Sequence, residues 1–528
     1  MIASPSVALP LALADDRVRA RRAALLLSAG LVALRFVFAA VLGLAPQEAY
    51  YWQYARHPAF SYLDHPPMAA EWIRAGTALL GPTALGIRLV NLLAGGVLCY
   101  LLYLLGERLF SARVGLIACA LSSATVLFEL GGFVTTPDGP LVLFWAASLL
   151  ATANLLLPTA SPGLPSPPTA GLPSSAPAVI PSDVEGPSAA PWYVLGTLVG
   201  LAFVSKYTAA LLPPAILLCA LGTERGRAAL KTPHPYLALV LAVGIFTPVI
   251  AWNAAHHFAS FAFQTEGRLE TVHGLRPVLV GRFLGLQTGA LGPLALLGVF
   301  AAAFVSLRRF REPRWLLIAA FGALPLLLFA AVSPYHWVKM NWPAPAYVAL
   351  LVGLAALLEH WPRWTQAFVL TGAVVALLAL LVPLVPAIPF SNRDDLITGW
   401  DVLAQRVQRE RTGMTRAGTA ASPVVVGADY KTASELAFHL PDQPFTASRE
   451  LFGQDGLMYG FWDAPEAFLG RTLLVVSDRR DRLREADARL HRACAQVTPL
   501  APQTVLRGRH PVTTFDLWRC DGYRGPRG

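Results

Sequence analysis

The side chains able to move a proton or hold a phosphate gather in a few short stretches between long apolar runs. The first is "PQEAYYWQYARHPAFSYLDHPPMAAEW", Pro46 to Trp72, which carries Gln47, Glu48, Asp64 and His65. Asp138 follows in "VTTPDGP", Lys206 and Tyr207 in "VSKYTAALLPP", and His336, Lys339 and Asn341 in "SPYHWVKMNWPAPAY". Carboxylates set beside cations suit a displacement: a base takes the proton of an attacking hydroxyl while cations hold a departing phosphate. Of 42 basic residues only four are lysines, and Lys206 and Lys339 are two of those four. A compact ammonium is well matched to a phosphate oxyanion. The plainer readings are that these lysines snorkel at an interface and that Asp138, after Thr-Pro, caps a helix; capping and catalysis are compatible. Tyr50, Tyr51, Trp52, Tyr54, Phe60 and Tyr62 fit an interfacial aromatic belt, and the same rings would serve as a shelf on which a sugar stacks.

The elements that must position these groups are membrane helices. The 528-residue chain is 55% hydrophobic and only 14% charged, too few charges for a soluble protein of this size. Apolar runs, most of them long enough to cross a hydrocarbon core of about 30 Å, recur up to Pro386. Eleven spans are expected: 23–43, 85–105, 114–130, 140–157, 193–204, 208–221, 236–252, 278–305, 315–332, 343–358 and 365–386. The first reads as a signal anchor rather than a cleaved leader, since no A-x-A-like site follows it. The fold expected is an all-α polytopic bundle of about eleven transmembrane helices, followed by a small C-terminal α/β domain.

Arginines set the orientation. Fourteen basic residues, from Arg17 to Arg363, fall in one alternating set of loops, against six in the other: Arg56, Arg74, Lys206, Arg268, Arg276 and Lys339. By the positive-inside rule, residues 1–22 are a cytoplasmic N-terminus and the polar stretches all lie outside. The net charge of +10 is thereby a topology signal, and no nucleic-acid partner is expected. Residues 23–390 form the membrane domain and 391–528 a soluble outer domain, in which "PVVVGAD" and "TLLVVSD" read as strands and "ASELAFHL" as a helix. Residues 158–191, with ten prolines in 34 residues, read as a disordered cytoplasmic linker. Cys494 and Cys520 lie in the outer domain, where a disulfide would persist; two free thiols would look the same in sequence. No acid or histidine cluster has metal-ligand spacing, and the adjacent His256 and His257 would be poor co-ligands, so neither metal nor other cofactor is expected.

At these residues the sequence resembles the GT-C glycosyltransferases that use polyprenyl-phosphate sugars. It is most similar to the bacterial branch related to protein O-mannosyltransferases and to the lipid A aminoarabinose and galacturonic acid transferases. "QEAYYW", "DHPP", "TPDGPLVLFW", "SKYTAALLPP", "WNAAHHFASFAFQ" and "KMNWPAPAY" carry the likeness in order, and "GADYKTASELAFHL" extends it into the tail. The resemblance implies transfer from a polyprenyl-phosphate-linked sugar to a glycolipid, glycan or protein acceptor at the periplasmic face of a bacterial inner membrane. It implies an acidic site in the first outer loop and another after the third helix, here Glu48 and Asp138, with Asp64 third. His65 and Lys206 match the lipid-phosphate contacts; Gln47, Tyr50, Tyr51, Tyr207, His336, Lys339 and Asn341 complete the expected substrate-binding set. The family motif commonly opens Asp-Glu, whereas this chain has Gln47 in the first place, and an amide takes no proton at neutral pH. Two alternatives follow. A lipid transporter would carry charges near the bilayer midplane and internal repeats; Arg35 is the clear intramembrane charge and no repeat is visible. A catalytically inactive lipid-binding homologue would account for Gln47.

Overall fold

The computed structural model describes residues 5–158, 189–269, 274–386, 388, 397–416, 422–462, 464–479 and 484–526. The proline-rich linker expected at 158–191 lies outside the described residues apart from its two ends.

All eleven apolar runs are helical over most of their length, with several differences in detail. The first helix, α1 (Pro5–Val41), begins inside the segment expected to precede it. The first polar stretch is not a plain loop but two helices, α2 (Pro46–Arg56) and α3 (Met68–Leu80). Pro46 suits the first turn of α2, where its missing N–H is not needed. The bundle continues with α4 (Ala84–Leu109), α5 (Ala112–Ser123), α6 (Val126–Gly131), α7 (Asp138–Leu156) and α8 (Ala189–Phe203). Thr83, Ser111 and Thr125 cap α4, α5 and α6 by accepting a backbone N–H; the Thr125 cap thus divides the expected third span. A 3-10 turn, Tyr207–Leu211, leads into α9 (Leu212–Gly222), then come α10 (Glu224–Ala229), α11 (His234–Ala255) and α12 (Ala259–Leu269).

The expected span 278–305 is broken. Its halves, α13 (Pro277–Leu291) and α14 (Pro293–Arg308), meet at 107°. Gly292 sits between them at φ +84°, a left-handed value that favours glycine, and Pro293 follows it. The last membrane elements are α15 (Pro313–Ile318) running through a π turn into α16 (Leu324–Val332), α17 (Ala344–Leu358) and α18 (Pro362–Leu381). Among the described residues six helices are long and apolar enough to cross a membrane, seven counting the bent pair as one span, and four shorter apolar helices accompany them. Small residues let helices approach: a Cβ on Gly106 of α4 would lie 2.5 Å from the Cα of Gly115 in α5.

The C-terminal region is the expected α/β module. Helices α19 (Trp400–Arg416), α20 (Tyr430–His439), α21 (Tyr459–Trp462) and α22 (Arg484–Ala493) surround a four-stranded sheet. Its strands are β1 (Val424–Gly427), β2 (Leu473–Asp478), β3 (Cys494–Arg507) and β4 (His510–Tyr523), in the order β1-β2-β4-β3. β1 and β2 are parallel and the rest antiparallel. Cys494 and Cys520 are bridged, which decides between the two states the sequence left open. Burial of Tyr50, Trp52, Tyr54 and Tyr62 with Ala433, Ala437, Met458 and Tyr459 makes one apolar core between α2 and this domain.

Candidate active site

The turn after α6 has to deliver Asp138 to the first residue of α7, and its backbone groups are answered from neighbouring elements. Asn91 of α4 donates to the carbonyls of Gly131 at 3.0 Å and Val134 at 3.1 Å. The Thr135 hydroxyl donates to Ile87 O at 2.9 Å, and the Thr135 N–H donates to Glu48 Oε1 at 2.9 Å. A Cβ on Gly139 would fall 1.9 Å from Asn91 Oδ1, so only glycine allows this approach.

Glu48 is fully buried and fully engaged. Arg88 reaches it with Nη2 at 2.6 Å and Nε at 2.9 Å, and the Ala45 N–H donates to Oε2 at 3.0 Å. With Thr135, the four lone-pair sites of the carboxylate are taken. The remaining Arg88 donors go to Ala39 O, Leu42 O and Gly43 O at 2.8–3.0 Å, satisfying the carbonyls that end α1. The Glu48–Arg88 pair therefore knots α1, α2, α4 and the Asp138 turn together. Glu48, expected as one candidate base, thus has every acceptor site of its carboxylate occupied in this arrangement.

Asp138 is held differently. Lys206 Nζ donates to Oδ1 at 2.7 Å and Asn341 Nδ2 donates to Oδ2 at 2.6 Å. Its side chain is 15% exposed and that of Lys206 8%. Three residues picked out by sequence thus converge from the start of α7, the turn after α8 and the turn before α17. Each carboxylate oxygen keeps acceptor capacity beyond its one strong partner.

The other expected residues are placed elsewhere. Asp64 accepts from the Tyr54 hydroxyl and, at 3.5 Å, from that of Tyr50. Burial first, then the Asp64 carboxylate, hold both phenols well above their usual range, so they remain donors. Tyr50 and Tyr51 do not form an open sugar shelf: they are 1% and 7% exposed, in the core under the C-terminal domain. His65 lies edge-on to Tyr51 with ring centroids 5.7 Å apart. The Tyr207 hydroxyl meets Ser260 Oγ at 2.5 Å. His336 stacks on Trp342 and Lys339 is exposed. Gln47 is half-buried at the start of α2. Among the described residues no three His, Cys, Asp or Glu side chains gather as a metal set.

Two buried arginines were legible only in part. Arg35 pairs with Glu129 at 2.9 Å, so the intramembrane charge seen in sequence has a partner at the end of the third apolar run. Arg88 was missed, although an arginine one turn inside an apolar helix is the same kind of signal. An open groove of about 800 Å³ lies between α3 and the C-terminal domain, lined by Trp52, Arg56, Arg74 and Gln443 but by none of the Asp138 trio.

The chain is similar in fold and in sequence to several known proteins. ArnT from Cupriavidus metallidurans, solved bound to undecaprenyl phosphate, superposes with a TM-score of 0.61 over 93% of this chain and 97% of its own, at 15% identity. The chain therefore shares the fold of that membrane protein. The archaeal oligosaccharyltransferase AglB from Archaeoglobus fulgidus, solved with an inhibitory peptide and a dolichol-phosphate, shares the GT-C fold more distantly, at TM-score 0.51 and 13% identity over 90% of this chain and 70% of that one. The dolichyl-phosphate-mannose-protein mannosyltransferase family model matches residues 64–159 and 184–252, which include Asp138 and Lys206. The lipid A galacturonosyltransferase RgtD of Rhizobium johnstonii is 24% identical over 407 residues, 75% of this chain and 78% of that protein.

Proposed function

We propose that this GT-C protein transfers a sugar from a polyprenyl-phosphate donor to a hydroxyl of a glycolipid, glycan or protein, at the outer face of a bacterial inner membrane. The observation that carries the reading is the convergence of Asp138, Lys206 and Asn341 within 2.7 Å contacts at one end of the bundle. Asp138 accepts the proton of the acceptor hydroxyl, whose oxygen bonds to the anomeric carbon as the bond from that carbon to the phosphate oxygen breaks. Lys206 stabilises the charge that builds on the departing lipid phosphate, the electrostatic contribution that is usually largest in such sites. Asn341 orients Asp138, and the apolar tail of the donor lies along the helices. The undecaprenyl phosphate bound by ArnT supports this donor class. The arginine bias supports eleven crossings with the N-terminus in the cytoplasm and residues 391–528 outside, and the Cys494–Cys520 bridge fits an oxidising compartment.

The test is turnover of radiolabelled polyprenyl-phosphate sugar by the purified protein with extracted envelope glycolipids, glycans and proteins as acceptors. Turnover abolished in Asp138→Asn with the melting curve unchanged supports the assignment. Donor binding without turnover in the native chain would favour the inactive homologue, for which Gln47 is the specific observation.

A further inference from the structure

The β3–β4 ribbon outruns the sheet that holds it. β2 pairs with β4 only from Phe515 to Cys520, whereas β3 and β4 stay paired out to Arg507 and His510. The rungs beyond Val505 and Thr513 have no third strand, and a two-stranded ribbon is marginal in water. Its turn is Gly508-Arg509, with Gly508 at φ +59°. A Cβ on Gly508 would lie 2.9 Å from Pro386 O. Arg507, 6% exposed, donates to the carbonyls of Val382 and, at 3.0 Å, Val385. The ribbon tip is thus seated on the end of α18.

The place of that end relative to lipid follows from α18 itself. The helical run Pro362–Leu384 has 23 residues, a mean hydropathy of 2.6 over its best window and little of that window buried in protein. Trp361 and Trp364, 60% and 55% exposed at its start, suit one interface. At 1.5 Å per residue the run spans about 34 Å, which puts its other end at the opposite headgroup layer. Leu506 is 58% exposed at that level, beside Leu384, Val385 and Ile388 at 40% each. Arg509 and His510 are exposed next to it.

We propose that the tip, Leu506 to His510, anchors the C-terminal domain in the membrane interface. Leu506 enters the boundary between acyl chains and headgroups, and the Arg509 guanidinium donates to phospholipid phosphates. An apolar residue flanked by basic ones is the composition that binds there. The anchor is independent of catalysis and adds a second hold on a domain that already docks on α2.

The full-length protein in phosphatidylcholine nanodiscs allows a direct test. Cys99, Cys119 and Cys219 are buried and Cys494–Cys520 is bridged, so a bimane label goes to Leu506→Cys. Its emission should shift blue and be quenched by lipid carrying a nitroxide at the top of the acyl chain. The same label at Ala501→Cys, exposed further up β3, should stay unquenched. Quenching at 506 no greater than at 501 overturns the anchor. If Leu506→Cys fails to fold, His510→Cys carries the label with the same two outcomes.

Discussion

Two carboxylates at the same end of the bundle, Glu48 and Asp138, each pair with one cation, yet they are built for opposite tasks. Glu48 accepts from four N–H groups, two of them backbone, and is fully buried. Asp138 receives one bond on each oxygen and remains 15% exposed. A carboxylate whose lone pairs are all filled cannot take a proton without breaking a bond, and it also cannot move. Saturation makes a scaffold, and partial satisfaction beside a lysine makes a site that a substrate can enter. The link between the two is the Thr135 N–H, three residues from Asp138; on the proposed reading Glu48 acts through it to position Asp138.

The comparison is broken most directly by exchanging the failures of the two acids. Asp138→Asn should lower turnover by about 10²- to 10⁴-fold, the range for a placed general base, while thermal melting in detergent moves little. Retained turnover would remove Asp138 from the chemistry. Arg88→Met should do the reverse. It leaves the Glu48 carboxylate buried without its cation, which costs about 3–5 kcal/mol, so melting should fall steeply. Turnover per folded molecule should fall less than in Asp138→Asn. If Arg88→Met melts like the native chain, Glu48 is not the knot described. Third, Cys494→Ser opens a bridge across a sequence separation of 26 residues, worth about 3 kcal/mol on the chain-entropy account. Proteolysis of the C-terminal domain should quicken, with the turnover of intact molecules unchanged. A parallel loss of turnover would mean that this domain shapes the Asp138 site through α2.

What could be read in advance divides along the same line. Asp138, Lys206 and Asn341 were legible because each is a polar residue at the end of an apolar run, where its cost demands a reason. Their meeting was not legible, since it depends on how α7, α8 and α17 pack. Arg88 escaped notice because the span it interrupts is apolar enough to absorb one charge in any average. The aromatics of "QEAYYWQYARH" could be read as belt or shelf, and they are neither. They are the core beneath α20 and α21, a partner more than 370 positions away that local pattern cannot announce. The kink at Gly292-Pro293 was visible as a Gly-Pro pair, a turn signal that an unbroken apolar run outweighed.

The smallest expected effect concerns the seam where the scaffold meets the C-terminal domain. Glu435 of α20 is fully buried, and His439 lies 3.2 Å from it and 2.6 Å from the exposed Asp401. Burial pushes the Glu435 carboxyl up to about 7; the nearby Glu48 adds to this, while His439 and Arg88 oppose it. Burial pulls His439 down, but the Glu435 and Asp401 carboxylates outweigh it and hold it above its usual value. Both groups therefore bind protons more tightly folded than unfolded. The stability Glu435 contributes is complete below its ordinary value of 4.5 and is lost as pH rises through about 7, a change of at most about 3 kcal/mol. His439 extends the loss to higher pH, and because the two titrate as a pair the effects do not add in full. Asp442, held below its usual 3.8 by Arg411, acts oppositely and only under that pH. Melting of the C-terminal domain should accordingly fall from pH 5 to pH 8, and Glu435→Gln should flatten the fall. A melting temperature that rises over this range would mean that Glu435 is ionised where it sits, with Arg88 shared between two carboxylates instead of committed to Glu48.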